Sequence, residues 1–80
     1  MKMSGIFNNK AAKAPKKTID PWTSRTYESR NQCYQALAAS EGMDPTYTLG
    51  WYDLCWKYPL RFVDYETQRP IDGRGRLANP

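Results

Sequence analysis

The sequence predicts a small, mainly α protein with long irregular tails: a helical hairpin (about residues 24–41 and 45–58) plus an extended segment near residues 60–66. Three observations lead there. Apolar side chains recur at helical spacing in two neighbouring stretches, a short connection rich in turn formers separates them, and both chain ends are basic.

The ends come first. Residues 1–19 carry five lysines and no acid, and residues 68–80 carry Arg69, Arg74 and Arg76 against Asp72, with two glycines and two prolines. Segments of this composition bury too little apolar surface to offset their ordering entropy. They read as a basic extended tail at 1–19 and a basic Gly/Pro-containing tail at 68–80, flanking a small body at 20–67. A body of that length lies near the limit below which disulfides, metals or partners become necessary.

Asp20-Pro21-Trp22-Thr23-Ser24 reads as the cap of the first helix, because Asp, Thr or Ser accepts the first free N–H groups and proline suits the first turn. Tyr27, Arg30, Tyr34, Leu37 and Ala38 then share one side at 3.6-residue spacing, and Gly42 is a natural stop. Asp44-Pro45 repeats the start signal. After it Tyr47, Trp51, Leu54, Cys55 and Tyr58 recur on one face, and Pro59 ends the helix. Antiparallel packing follows from the short connection. Leu60-Arg61-Phe62-Val63-Asp64-Tyr65 alternates apolar and charged residues and reads as an extended segment that could join another protein's sheet.

Charge is uneven: the first nineteen residues sum to +5, residues 20–67 to −3 and the last thirteen to +2, for a net +4. The basicity therefore lies in the tails, which weakens a nucleic-acid reading of the body. No run approaches the roughly 20 apolar residues that span a bilayer, and the first residues lack the apolar core of a secretory signal. The chain is expected to be soluble or peripheral to a membrane.

Cys33 and Cys55 fall at similar heights in an antiparallel hairpin, where a disulfide closing the loop would contribute about 3 kcal/mol. The arrangement resembles half of a twin-cysteine helical hairpin, but that family needs four cysteines, so the resemblance is not carried over. Two small buried apolar residues in a reducing compartment is the other reading. The sequence leaves both open.

Chemistry-bearing motifs are sparse. With no histidine, Ser–His and Cys–His pairs and histidine-containing metal sites are excluded, and two cysteines alone do not close a zinc site. No glycine-rich loop has phosphate-binding spacing, and Gly73-Arg74-Gly75-Arg76 is only a short basic segment. Asp53, Asp64 and Glu66 are the acids from which an acid–base pair could be drawn, but nothing puts them in a pocket. No enzyme activity, cofactor or metal is expected.

The aromatic surplus carries the functional reading. Tyr47 to Phe62 holds six aromatic residues in sixteen. On a helical wheel Tyr47, Trp51, Leu54, Cys55 and Tyr58 take one side, while Leu49, Tyr52 and Trp56 take the other. A two-helix hairpin can bury only one stripe, so either Trp22 and the extended segment fold over the second or it meets another macromolecule, and the smallness of the available core favours the partner. The expected anchors are Trp51, Tyr52, Trp56 and Tyr58. Lys10, Lys13, Lys16, Lys17, Arg69, Arg74 and Arg76 are expected to run along an acidic partner surface.

The start Met1-Lys2-Met3-Ser4-Gly5-Ile6-Phe7 resembles the mature N-termini of chlorophyll a/c antenna proteins from red-lineage secondary plastids. The rest of the chain has neither their membrane helices nor their histidine ligands. The resemblance implies a small supernumerary subunit of a photosystem I–antenna supercomplex, on the stromal side of the thylakoid membrane. The sequence thus predicts a non-catalytic structural accessory subunit bound to larger protein subunits. An RNA-associated accessory protein of ribosomal type and a viral structural protein are its rivals.

Overall fold

Both Asp-Pro pairs turn the chain; neither starts a helix. In the computed structural model, which describes residues 15–79, the Thr23 N–H donates to the Asp20 carbonyl (3.2 Å) and the Tyr47 N–H to that of Asp44 (3.1 Å). Each aspartate also accepts the N–H two residues on, from Trp22 (3.2 Å) and Thr46 (2.9 Å). Aspartate followed by proline is favoured at the first two positions of such turns.

The first turn joins β1 (Thr18–Asp20) to β2 (Arg25–Tyr27) as an antiparallel hairpin. Ser24 closes the turn at φ 59°. The first helix, α1 (Arg30–Ala38), starts only after the hairpin, with the Ser29 hydroxyl accepting the Gln32 N–H (3.0 Å). It ends in a 3-10 turn, Ala39–Glu41, and Gly42 takes the left-handed conformation expected of it. The second helix, α2 (Gly50–Lys57), is shorter than the sequence predicts at its start, because residues 44–49 form turns.

The segment after Pro59 pairs within its own chain. Its strand β3 (Val63–Asp64) lies antiparallel to β1, with Ile19 opposite Val63, which completes a sheet in the order β2-β1-β3. Thr18 and Ile19 are β-branched residues suited to a half-buried strand, so the end of the lysine-rich stretch belongs to the folded part. The C-terminal segment continues the pattern: Ile71 N–H donates to the Phe62 carbonyl (2.8 Å) and Leu60 N–H to that of Ile71 (2.9 Å). Ala78 N–H then donates to Pro70 (2.8 Å), folding residues 76–78 back on 70–72.

The architecture is therefore two short helices and a three-stranded antiparallel sheet, with α1 against β1 and β2, which replaces the mainly α hairpin with long irregular tails. The helices do not pack as an antiparallel pair either. Tyr34, in mid-α1, packs on Gly50 at the start of α2, while Glu41 beyond α1 reaches Lys57 (2.7 Å) and Tyr58 (2.8 Å) at its end. An antiparallel hairpin would reverse that order. The core comprises Cys33, Tyr34 and Ala38 from α1, Trp51, Leu54 and Cys55 from α2, and Phe62 and Ile71.

Just beyond the C-terminal end of α2 a buried ion pair ties the chain to the sheet. Arg61 donates from Nε (3.1 Å) and from a terminal nitrogen (2.9 Å) to the two carboxylate oxygens of Asp20, and both side chains are almost fully buried.

Arg61→Met leaves the Asp20 carboxylate buried and unpaired, at an expected cost of about 3–5 kcal/mol. Pairing it with Asp20→Asn is expected to recover a substantial part of that loss, and urea unfolding of both variants measures it. Gly50→Ala drives a methyl group into the buried Tyr34 ring. Overpacking of this kind costs about 1–3 kcal/mol, readable as a lower thermal midpoint.

Candidate functional site

Helix α2 divides its large side chains as its periodicity dictates. Trp51, Leu54 and Cys55 face the core, and the opposite side carries Leu49, just before the helix, with Tyr52 and Trp56. These three are 54%, 51% and 75% exposed. Residues three and four apart on a helix are surface neighbours, so they form a line.

A loop from the C-terminal segment borders that line. Asp72 organises it: one carboxylate oxygen accepts the N–H groups of Arg74 (2.9 Å) and Arg76 (3.0 Å), and the Asp72 carbonyl accepts that of Gly75 (3.0 Å). Those backbone donors, Arg76 first, hold the Asp72 carboxyl below its usual range. Gly75, at φ +79°, sits under the Tyr52 ring so closely that a Cβ there would lie 2.8 Å from Tyr52 Cδ1. A Cβ on Gly73 would lie 3.5 Å from Pro59 and 3.8 Å from the Trp56 ring. From α1, Arg30 donates to the Gly75 carbonyl (3.1 Å) and ties the loop down. Tyr52, Trp56, Pro59 and the backbone of residues 72–76 thus form one continuous surface.

The other expected anchors have different surroundings. Trp51 stands in the core beneath this face, packed on Phe62. Tyr58 is half-buried, its hydroxyl donating to Glu41 and its ring meeting Trp22 edge-on. Lys10 and Lys13 lie outside the described residues; Lys16 is exposed, and Lys17 lies half-buried over the Tyr65 ring (4.8 Å). Arg69 donates to the Ala78 carbonyl (2.9 Å) and so holds the C-terminal segment. Arg74 and Arg76 are exposed, on the loop beside Tyr52 and Trp56.

Sequence reasoning picked out the aromatic stripe but missed Pro59, Gly73, Gly75 and Arg30. Gly75 was the available signal, since close backbone approach and a left-handed φ are common reasons for glycine.

The candidate acids are engaged or apart. The Asp64 carboxylate caps a local turn, accepting from the Thr67 N–H (3.0 Å) and hydroxyl (2.9 Å). Asp53 is exposed on α2 and Glu66 in the turn after β3. A concavity of about 610 Å³ near Lys16, Lys17, Glu28, Tyr65 and Glu66 brings together charges of both signs. Among the described residues no group of three or more metal-ligating side chains converges, and no helix is long and apolar enough to cross a membrane.

Cys33 and Cys55 are free thiols, both buried in the core. Burial first of all pushes each up to about 12. No protein-family model, curated protein or solved structure matches the chain.

In the folded chain the thiols stay protonated where an unfolded chain ionises them. Above pH 9 the unfolded state therefore binds fewer protons, and stability falls as pH rises from 9.0 towards about 12. The double substitution of Cys33 and Cys55 by Ala is expected to flatten this alkaline limb in pH-dependent urea unfolding. At pH 8, iodoacetamide should leave the native thiols unmodified while alkylating the denatured chain.

Proposed function

We propose that the chain is a non-catalytic structural accessory subunit that stabilises a larger protein assembly, docking through Leu49, Tyr52 and Trp56. The observation that carries this reading is the division of α2: one face saturates the core, and the other presents three large apolar side chains in line. Covering the exposed parts of Tyr52 and Trp56 is worth about 5 kcal/mol of transfer free energy at ~25 cal/mol per Å². Tryptophan and tyrosine, whose rings bury much area with few rotatable bonds, are the residue types that dominate interface energetics.

The core needs nothing from these three residues, so the stripe is free to serve a partner. The resemblance of Met1–Phe7 to antenna-protein N-termini points to photosystem I with its chlorophyll a/c antenna as that assembly, with the subunit peripheral on the stromal side of the thylakoid membrane. In this reading Arg74 and Arg76 lie at the rim of the contact, and Lys16 meets a second part of the partner surface.

Trp56→Ala in the full chain is expected to weaken its affinity for the native assembly about 30-fold, the effect of an anchor worth about 2 kcal/mol, read as loss of the subunit from the purified assembly. The thermal midpoint of the free variant should stay close to that of the parent, since the side chain is exposed. Normal incorporation of both Trp56→Ala and Tyr52→Ala would overturn the proposal.

A further inference from the structure

Resting on the docking reading above, we infer that the face built from Tyr52, Trp56, Pro59 and the loop Asp72–Arg76 takes an acidic, apolar protein segment, seating its apolar side chains on the rings and its carboxylates on Arg74 and Arg76. The loop is part of the face because Gly75, lacking a Cβ, lies flush against the Tyr52 ring, while Gly73 stands at van der Waals distance from Pro59 and the Trp56 ring. Its two arginines are therefore carried along the edge of the apolar surface on a fixed backbone. That backbone is held from two sides, by the Asp72 carboxylate on the N–H groups of Arg74 and Arg76 and by Arg30 on the Gly75 carbonyl.

The charges give the partner its sign. Around the same helix Lys57 is paired with Glu41, and Arg61 with Asp20. Among the described residues neither Arg74 nor Arg76 has a carboxylate within salt-bridge distance. Asp72 is the nearest acid in sequence, and its hydrogen bonds to these residues go to their backbone N–H groups. Two exposed arginines on a loop that borders the aromatic line suit the planar, two-point geometry of carboxylates.

A nucleic acid fits less well. Its backbone calls for an array of cations. Residues 15–79 carry nine basic and eight acidic side chains. Asp53 is exposed next to Tyr52 on the same helix, and Asp72 belongs to the loop itself. One or two discrete carboxylates can avoid these acids; a continuous phosphate chain cannot.

The test titrates the full 80-residue chain with four probes while following the Trp56 indole N–H and the Gly73 and Gly75 amides by NMR. Three are amphipathic peptides of about 15 residues, sharing Leu and Phe positions, with Glu/Asp, Gln/Asn or Lys at the remaining ones. The fourth is an oligouridine of similar length. The acidic peptide is expected to bind about fivefold more tightly than the Gln/Asn peptide at low ionic strength, as for a pair of rim contacts, and the gap should close at high salt. Arg74→Gln with Arg76→Gln should abolish the gap between the acidic and Gln/Asn peptides. Equal binding of the acidic and Gln/Asn peptides, or tightest binding by the Lys peptide or the RNA, overturns the inference while leaving the aromatic docking reading in place. If no peptide moves these resonances, the docking reading falls with it.

Discussion

The ion pair between Asp20 and Arg61 is the constraint on which the rest of the molecule depends. It joins the end of β1 to the chain just beyond α2, forty-one residues away, through two charge-assisted hydrogen bonds with almost no solvent access. Taking both charges out of water costs several kcal/mol per ion, which only good geometry and full hydrogen bonding offset. The surroundings supply these. The ring centroids of Trp22, Tyr58 and Phe62 lie 4.2, 4.7 and 5.1 Å from the Arg61 guanidinium carbon. The remaining acceptor capacity of Asp20 is met by the Trp22 N–H and the Thr23 hydroxyl. Leu60 holds a left-handed φ of 67° immediately before Arg61, a conformation unfavourable for a branched side chain. The strain is tolerated where the chain must turn to bring Arg61 inward.

With that pair in place the orientation of α2 is decided. Its C-terminal end is fixed by Arg61 on one side and by Glu41, which accepts from both Lys57 and Tyr58, on the other. Its N-terminal end is fixed by Tyr34, which lies against Gly50 and hydrogen-bonds the Asp44 carbonyl. A helix held at both ends over so small a core has one face to give it, and Leu54 and Cys55 on that face are wholly buried. Tyr52 and Trp56 remain outside because the same rotation that buries Leu54 and Cys55 turns them away. Small size thus accounts for the exposed stripe without any special device.

What was legible in the sequence follows from which signals are long enough to be periodic. The two stripes of α2 were readable, since several large residues repeat at helical spacing. The extended stretch around Val63–Asp64 was readable from its alternation, but not its partner, which is β1 of the same chain; the three residues of Thr18–Asp20 are too short to show an alternation. Asp-Pro marks a helix start and a tight turn equally well, and at both 20–21 and 44–45 the turn won. In the first case Arg25–Tyr27 pairs back on β1; in the second, Asp44 binds both the N–H and the hydroxyl of Thr46. The C-terminal stretch looked like a tail because composition averages over it. One residue there, Ile71, is 1% exposed, and it draws the glycine loop against Trp56 and Tyr52. The candidate face was therefore half legible: its rings came from periodicity and its arginines from composition, but the placement of their loop against the rings only from the fold.

The central claim is that Tyr52 and Trp56 are surface in the free chain and interface in its working state. Hydroxyl-radical footprinting of the full chain, alone and within the native assembly, tests it most directly. The account predicts that free Tyr52 and Trp56 are oxidised readily and Trp51 hardly at all, and that assembly protects Tyr52 and Trp56. Equal reactivity of Trp56 in the free and assembled states would contradict it.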